Sequence, residues 1–212
     1  MELHGAPTVT DTVEAVVDFA LQAVNCRHAG VVLAARGGRA EIGAVTDSVL
    51  ESVFQWQIDS AAGPLIESLR AQEIVDVVDT SAETRWPDWA TKVSELGVGS
   101  AVHVPLCIGV QSVGVLTLYG EQAGGFSADD LAVAHILARH ASVAVAAARQ
   151  EETMARAVDA RKLVGQAMGI LMMKFDVDGD RAFAILKRYS QDHNRKLRDV
   201  AQEVIDTRKL PG

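Results

Sequence analysis

Asp159-Ala-Arg-Lys-Leu-Val-Gly-Gln-Ala-Met-Gly-Ile-Leu-Met-Met-Lys174, followed by the break Phe175-Asp-Val-Asp-Gly-Asp180, decides how the C-terminal part of this chain folds. Leu163, Ala167, Ile170 and Leu171 recur at three- and four-residue steps, which predicts a helix ending near Lys174 with one apolar face. Gly165 and Gly169 lie four apart on another face, where each costs up to about 1 kcal/mol; close packing of a second helix is the reading that accounts for them. Asp178 is placed to cap the next helix, whose buried stripe is Ala182, Phe183, Ile185, Leu186 and Tyr189. Asn194 is placed to cap a third, in which Leu197, Val200, Ala201, Val204 and Ile205 fall at i, i+3, i+4, i+7 and i+8. The spacing therefore predicts an all-α bundle of three helices. Asp176, Asp178, Gly179 and Asp180 lack the ligand spacing and closing Glu of a calcium loop, so the break reads as a turn.

Upstream, no proline occurs between Pro105 and Pro211, and Gly165 and Gly169 are the only glycines from Ser127 to Lys174. One long helix from Ala128 to Met173 is permitted. Leu131, Ala134, Ala138, Ala141, Val145 and Ala148 form a small-residue seam that Met154, Val158 and Leu163 loosely continue. Such a seam serves either the core of one domain or a coiled coil between two copies, and the polar Gln150-Glu-Glu-Thr153 patch is a candidate hinge.

Further upstream, Asp11 to Asn25 reads as an amphipathic helix behind an Asp11 cap, and Ala29–Ala35 and Ala40–Val45 read as strands around the turn Arg36-Gly-Gly-Arg39. Ser48 to Asp59 and Gly63 to Ala71 look helical, Glu73–Val78 forms a short strand, and Arg85–Leu96 carries a Pro in its first turn and a Gly97 stop. Ser100–Leu106 and Ser112–Tyr119 are β-rich, and Phe126-Ser-Ala-Asp-Asp130 supplies a helix start. The order predicts an α+β domain with a central antiparallel sheet flanked by helices over 1–148, then an all-α unit over 149–212, with the helix continuous across the boundary.

The chain has 212 residues with 49% hydrophobic and 23% charged, enough for one sizeable core and a smaller one. No run approaches roughly 18 uninterrupted apolar residues, and Met1-Glu-Leu-His-Gly-Ala-Pro7 lacks the basic and apolar stretches of a secretory signal. The expectation is a cytoplasmic protein without a membrane partner. Two cysteines, Cys26 and Cys107, indicate neither a disulfide framework nor a four-ligand zinc site. The net charge of -8 is unevenly spread: residues 1–150 hold 8 Lys and Arg against 18 Asp and Glu, residues 151–212 hold 12 against 10. Lys187, Arg188, Arg195, Lys196 and Arg198 gather around the last loop, a local excess suited to phosphate.

The set Gln166-Ala-Met-Gly-Ile-Leu-Met172, Ala182-Phe183, Leu186, Ser190, Asn194, Lys196-Leu197 and Val200-Ala201 resembles the ANTAR domain, a three-helix RNA-binding module of bacterial antitermination regulators, over residues 158 to 207. The resemblance implies binding to a pair of short stem-loops in a nascent transcript by a homodimer, without cutting or modifying the RNA. Met168 stands where many such domains carry Lys, which puts one phosphate contact in question. Residues 10 to 148 resemble a GAF domain on Gly63-Pro64, Val75-Asp76 to Asp79, Ser100–Leu106, Gly114–Tyr119 and Phe126-Ser-Ala-Asp-Asp130. That resemblance implies a small-molecule effector, of unknown identity, held between one sheet face and the segments of residues 48 to 98 that cover it.

On these grounds Arg161, Lys162, Gln166, Lys187, Arg188, Ser190, His193, Asn194, Arg195, Lys196, Arg198 and Gln202 are the candidate RNA-contacting residues. Arg195, Arg198 and Gln202 are expected on one outward face with Lys196 beside them, and Arg or His193 is suited to stack on unpaired bases. No Ser-His-Asp signature, Walker-type loop or metal-spaced His/Cys set is present, so no catalytic residue, metal or cofactor is assigned and the chain is expected not to be an enzyme. His103 could ligate haem, although a lone strand His is more often packed; Leu65 stands where some related sensors have Cys, so no bilin linkage is supported. The alternatives are a ligand-sensing or protein-interaction module whose last helices only dimerise, and a thiol reductase, which would need Cys26 and Cys107 to meet.

Overall fold

Apolar residues on alternating faces of five strands build the centre of the first unit in the computed structural model, which describes residues 7–35 and 39–210. Arg36, Gly37 and Gly38 of the expected hairpin turn, and Met1–Ala6 of the expected signal-free start, lie outside the described residues. The strands are β1 (His28–Ala34), β2 (Ala40–Val45), β3 (Val75–Val77), β4 (Ser100–Ile108) and β5 (Gln111–Gly120). All neighbours are antiparallel, in the order β2-β1-β5-β4-β3.

On one sheet face, α1 (Val9–Ala23) and the first part of α5 (Ala128–Phe175) cover Val31, Val102, Val104, Leu116 and Leu118. On the other face, α2 (Ser48–Ser60), α3 (Pro64–Ala71) and α4 (Pro87–Glu95) cover Val32, Val77, Ala101 and Tyr119. Gly30 is required there, because a Cβ at that position would run into the Phe54 ring. Helix α1 starts earlier than expected: Thr8, not Asp11, is its cap, and Asp11 is the third-position partner of a capping box whose carboxylate accepts from the Thr8 backbone N–H at 2.9 Å. Ser127 and Asp130 form the same reciprocal arrangement at the start of α5. Strand β3 is shorter than Glu73–Val78, and Ile74 and Val78 at its ends are exposed.

Helix α5 runs unbroken for 48 residues, so the Gln150–Thr153 patch is not a break in it. The chain divides into two compact units between Gln150 and Glu151, inside this helix. Among the described residues α5 is the one helix long and apolar enough to cross a membrane. Its Ala134, Leu137, Ala138, Ala141 and Val145 are buried in the first unit's core, as in the core helix of a globular domain. The seam is thus spent within the domain at these positions, while Met154 and Val158 further along are exposed.

In the second unit, α5 from Glu151 onward joins α6 (Gly179–Asp192) and α7 (Leu197–Thr207). Ala167, Leu171, Ala182, Leu186, Val200, Ala201 and Val204 are fully buried, with Ile185, Tyr189, Leu197 and Ile205 packed around them. Asp178 caps α6 through the Arg181 N–H, at 2.8 Å. Phe183 departs from the expected stripe and is 39% exposed, because it stands one residue off the Ala182–Leu186 line. Gly165 and Gly169 are also exposed, and a Cβ on either would meet nothing within 4 Å. Packing within the described chain therefore does not explain them. Gly165→Ala should raise stability by about 1 kcal/mol, since only backbone freedom and helix propensity change; a thermal melt that moves down instead would reveal a contact at that face.

Candidate functional site

The loop between α6 and α7 is set by Ser190. Its Oγ donates to the Arg195 carbonyl at 2.6 Å, and the Arg195 N–H donates back to the Ser190 carbonyl at 2.9 Å. Asn194 lies inside this closed turn at φ +48°, a left-handed conformation that Asn tolerates well. Contrary to the expectation from sequence, it does not cap α7: Lys196 holds the N-cap position without a side-chain hydrogen bond, and Asp199 occupies the first turn. The partial positive charge of that helix start already faces a carboxylate.

His193 stacks on Tyr189, with ring centroids 4.0 Å apart and 16° between planes. Its Nδ1 lies 3.0 Å from the Tyr189 carbonyl oxygen, which can only accept, so Nδ1 carries a proton. A stacked pair at an exposed turn offers one further ring face to a base.

The basic ridge expected from sequence is divided. Arg195 precedes α7 instead of lying on it, and its Nη2 is 2.6 Å from a Glu203 carboxylate oxygen, which raises the guanidinium pKa further above its ordinary value. Arg188 Nε is 3.4 Å from Asp192, and Gln202 donates to Asp206 at 2.8 Å. Lys187, Lys196 and Arg198 are exposed, and among the described residues none of them enters an ion pair. Arg161, Lys162 and Gln166 are exposed within one turn and a half of α5, beside the bare Gly165. The free cations of the α6–α7 turn are thus Lys187, Lys196 and Arg198, while Arg188, Arg195 and Gln202 are held by acids of their own unit.

A second cluster lies in the first unit, beneath α2 and α4. Gln57, Trp89, His103 and Tyr119 come from α2, α4, β4 and β5, and all four are fully buried. The His103 ring centroid is 6.0 Å from that of Trp89 and 5.9 Å from that of Tyr119, which in turn is 5.9 Å from Phe54. His103 Nδ1 lies 3.1 Å from Thr117 Oγ1, and the Leu65 N–H donates to Gln57 Oε1 at 3.1 Å. Burial pushes His103 down to about 3 and Tyr119 far upward, so both are neutral across the ordinary pH range. Gln57 Nε2, Trp89 Nε1, His103 Nε2 and the Tyr119 hydroxyl have no hydrogen-bond partner. Among the described residues, no group of three or more His, Cys, Asp or Glu is placed to hold a metal.

The two thiols do not meet. Arg27, next to Cys26, donates to the Tyr119 carbonyl, while Cys107 pairs with Ser112 at the other end of β5. Seven residues of strand separate those positions, about 23 Å at ~3.3 Å each. Burial also raises both thiols, Cys26 to about 11, away from the reactive thiolate.

Residues 6–146 match the GAF domain family model, well over half of the chain. The chain belongs to the GAF family. Behind its GAF domain stands an ANTAR domain, matched at residues 152–205. Solved structures similar to the GAF part include a GAF domain/HD domain protein from Geobacter sulfurreducens, at 16% identity and TM-score 0.58, covering 71% of this chain and 99% of that one. The GAF domain of an Acinetobacter phosphoenolpyruvate-protein phosphotransferase gives 16% identity and TM-score 0.55, covering 70% and 89%. A type II free methionine-R-sulfoxide reductase from Thermoplasma acidophilum gives 14% identity and TM-score 0.50, covering 65% and 92%. At such identities the likeness is one of fold. A comparison with curated proteins gives no match. The GAF–ANTAR arrangement is that of a sensor joined to an RNA-binding regulatory module.

Proposed function

We propose that this protein is a cytoplasmic, signal-responsive regulator whose ANTAR domain binds paired stem-loops in nascent mRNA and promotes transcription antitermination. It acts by binding, not by chemistry. The observation that carries the reading is the Ser190-closed turn, which presents Lys196 and Arg198, with Lys187 on α6, free of acidic partners next to the stacked Tyr189–His193 pair. Free cations supply the sequence-independent attraction to phosphate, and an open ring face suits an unpaired loop base.

A tandem stem-loop transcript should bind better than a scrambled one at moderate salt, with a log-log salt slope of about -0.7 per single-strand phosphate contact. Arg198→Ala should weaken binding by about tenfold, the scale of one charge-assisted hydrogen bond. Arg195→Ala should cost less, because its charge is already matched, and Glu203→Gln should tighten binding by freeing it. Equal affinities for both transcripts in a gel-shift titration would overturn the function; an unchanged Arg198→Ala would overturn the face.

The regulator is proposed to work as a homodimer. Ile136 and Val143 are 58% and 64% exposed on α5 of the first unit, where with Arg139 and His140 they line a groove of about 400 Å³. Exposed apolar residues seven apart on a helix suit a partner helix. Met154 and Val158, exposed on α5 of the second unit, favour a second reading, in which the last helices dimerise and bind no RNA. Light scattering together with the gel shift separates them, since only the first predicts a retarded band.

A further inference from the structure

Tyr189 stands half-buried in the last turn of α6, where its position in the apolar stripe anchors it against the core of the second unit. Three parts of the residue face three different groups. Its ring lies against the His193 ring, 4.0 Å between centroids and 16° between planes. Its carbonyl oxygen accepts twice from His193, from the backbone N–H at 3.2 Å and from Nδ1 at 3.0 Å, which uses both lone pairs. Its hydroxyl reaches the Arg195 guanidinium, which Glu203 already holds from α7.

An exposed histidine ordinarily turns about two side-chain torsions, and His193 is exposed. Here its backbone, its Nδ1 and its ring are each fixed by one neighbour. A base that stacks on a ring already held in place does not have to order that ring first, so less of the stacking energy is lost. The turn itself is closed by the paired Ser190 and Arg195 hydrogen bonds, and the free Lys196 follows directly.

We propose that Tyr189 is the positioning residue of the RNA site: it holds the His193 ring with one face open, as the platform on which an unpaired loop base stacks. It acts through His193, which lies between it and the base. This inference rests on the reading of the ANTAR part as an RNA binder and deepens it by naming the residue that prepares the base contact. The carbonyl survives any substitution at this position, so a variant removes the ring's support and leaves the Nδ1 hydrogen bond possible.

The full chain is titrated with two transcripts, each of two short stems, one closed by adenosine loops and the other by abasic loops. The native protein should bind the adenosine-loop transcript about tenfold more tightly, the scale of one stack between a base and a ring. Tyr189→Leu keeps an apolar side chain in the bundle; it should lose that preference and leave the affinity for the abasic transcript unchanged, whereas a turn that had merely unfolded would weaken both. Tyr189→Phe keeps the ring and should retain the preference. His193→Ala should abolish the preference in the native background and cost nothing further beside Tyr189→Leu, because two residues acting as one unit are not additive. Without RNA, the His193 ring protons should resonate upfield in the native chain and in Tyr189→Phe, under the current of the neighbouring ring, and return to ordinary positions in Tyr189→Leu. Additive losses, His193 resonances that are the same in all three chains, or equal affinity for the two transcripts overturns this inference alone. Failure of the native chain to bind either transcript at moderate salt removes the RNA reading, and this inference with it.

Discussion

Acidification from pH 6.5 toward 3 will destabilise the protein at about 1.4 kcal/mol per pH unit through His103 alone, and replacing that residue will remove this part of the slope. The neutral ring is fully buried with a folded-state pKa of about 3 against an ordinary 6.5. Unfolded chains take up a proton below pH 6.5 that folded chains refuse, so the unfolded state is favoured as the pH falls. The contribution is complete above 6.5 and declines through the window down to 3. Asp11, Asp79, Glu83 and Asp130, whose pKa values are lowered by hydrogen bonds, add a loss confined to the acidic end as they protonate. Urea melts between pH 7 and 4.5 on the native chain and on His103→Gln isolate the histidine. Parallel slopes for the two proteins would show that His103 is not held neutral by the fold.

Leu186→Ala should cost about 2–5 kcal/mol, because the methyl groups removed leave a void in a close-packed core. Leu186 is one of seven fully buried apolar residues among the described residues of the second unit, so the loss is a large share of what a bundle this small can hold. Trp56, Trp86 and Trp89 all belong to the first unit, which makes tryptophan emission blind to the second. The variant should lose helical circular dichroism at moderate temperature while its emission maximum stays native, and stem-loop binding should disappear with the helical signal. A single melting transition at the native midpoint by both probes would show that the bundle does not depend on this contact.

Most of the architecture could be read from periodicity. Alternation in Ser100–Leu106 and Ser112–Tyr119, and three- and four-residue spacing in Leu197–Ile205, reflect which faces are buried, and burial is what shaped the composition there. What was misread involves residues with two physical uses. A Thr-x-x-Asp box is reciprocal, so Asp11 resembles a cap when Thr8 is the residue in that position. Asn is as good in a left-handed turn as at an N-cap, and only the Ser190–Arg195 hydrogen bonds distinguish the two at Asn194. The basic cluster was legible as composition, whereas the pairing of Arg195 with Glu203, eight residues on, depends on the bend of a loop. The Gln57, Trp89, His103 and Tyr119 cluster left no local signal, because its members are brought together only by the sheet and the helices above it.

The Arg195–Glu203 contact means that the protein carries its own counterion at that spot. A nucleic acid arriving there would exchange one anion for another, so fewer salt ions would be liberated than the visible arginines suggest. Such a contact adds little net attraction, but it penalises any backbone whose phosphate falls slightly out of place, and in that way it favours fidelity over grip.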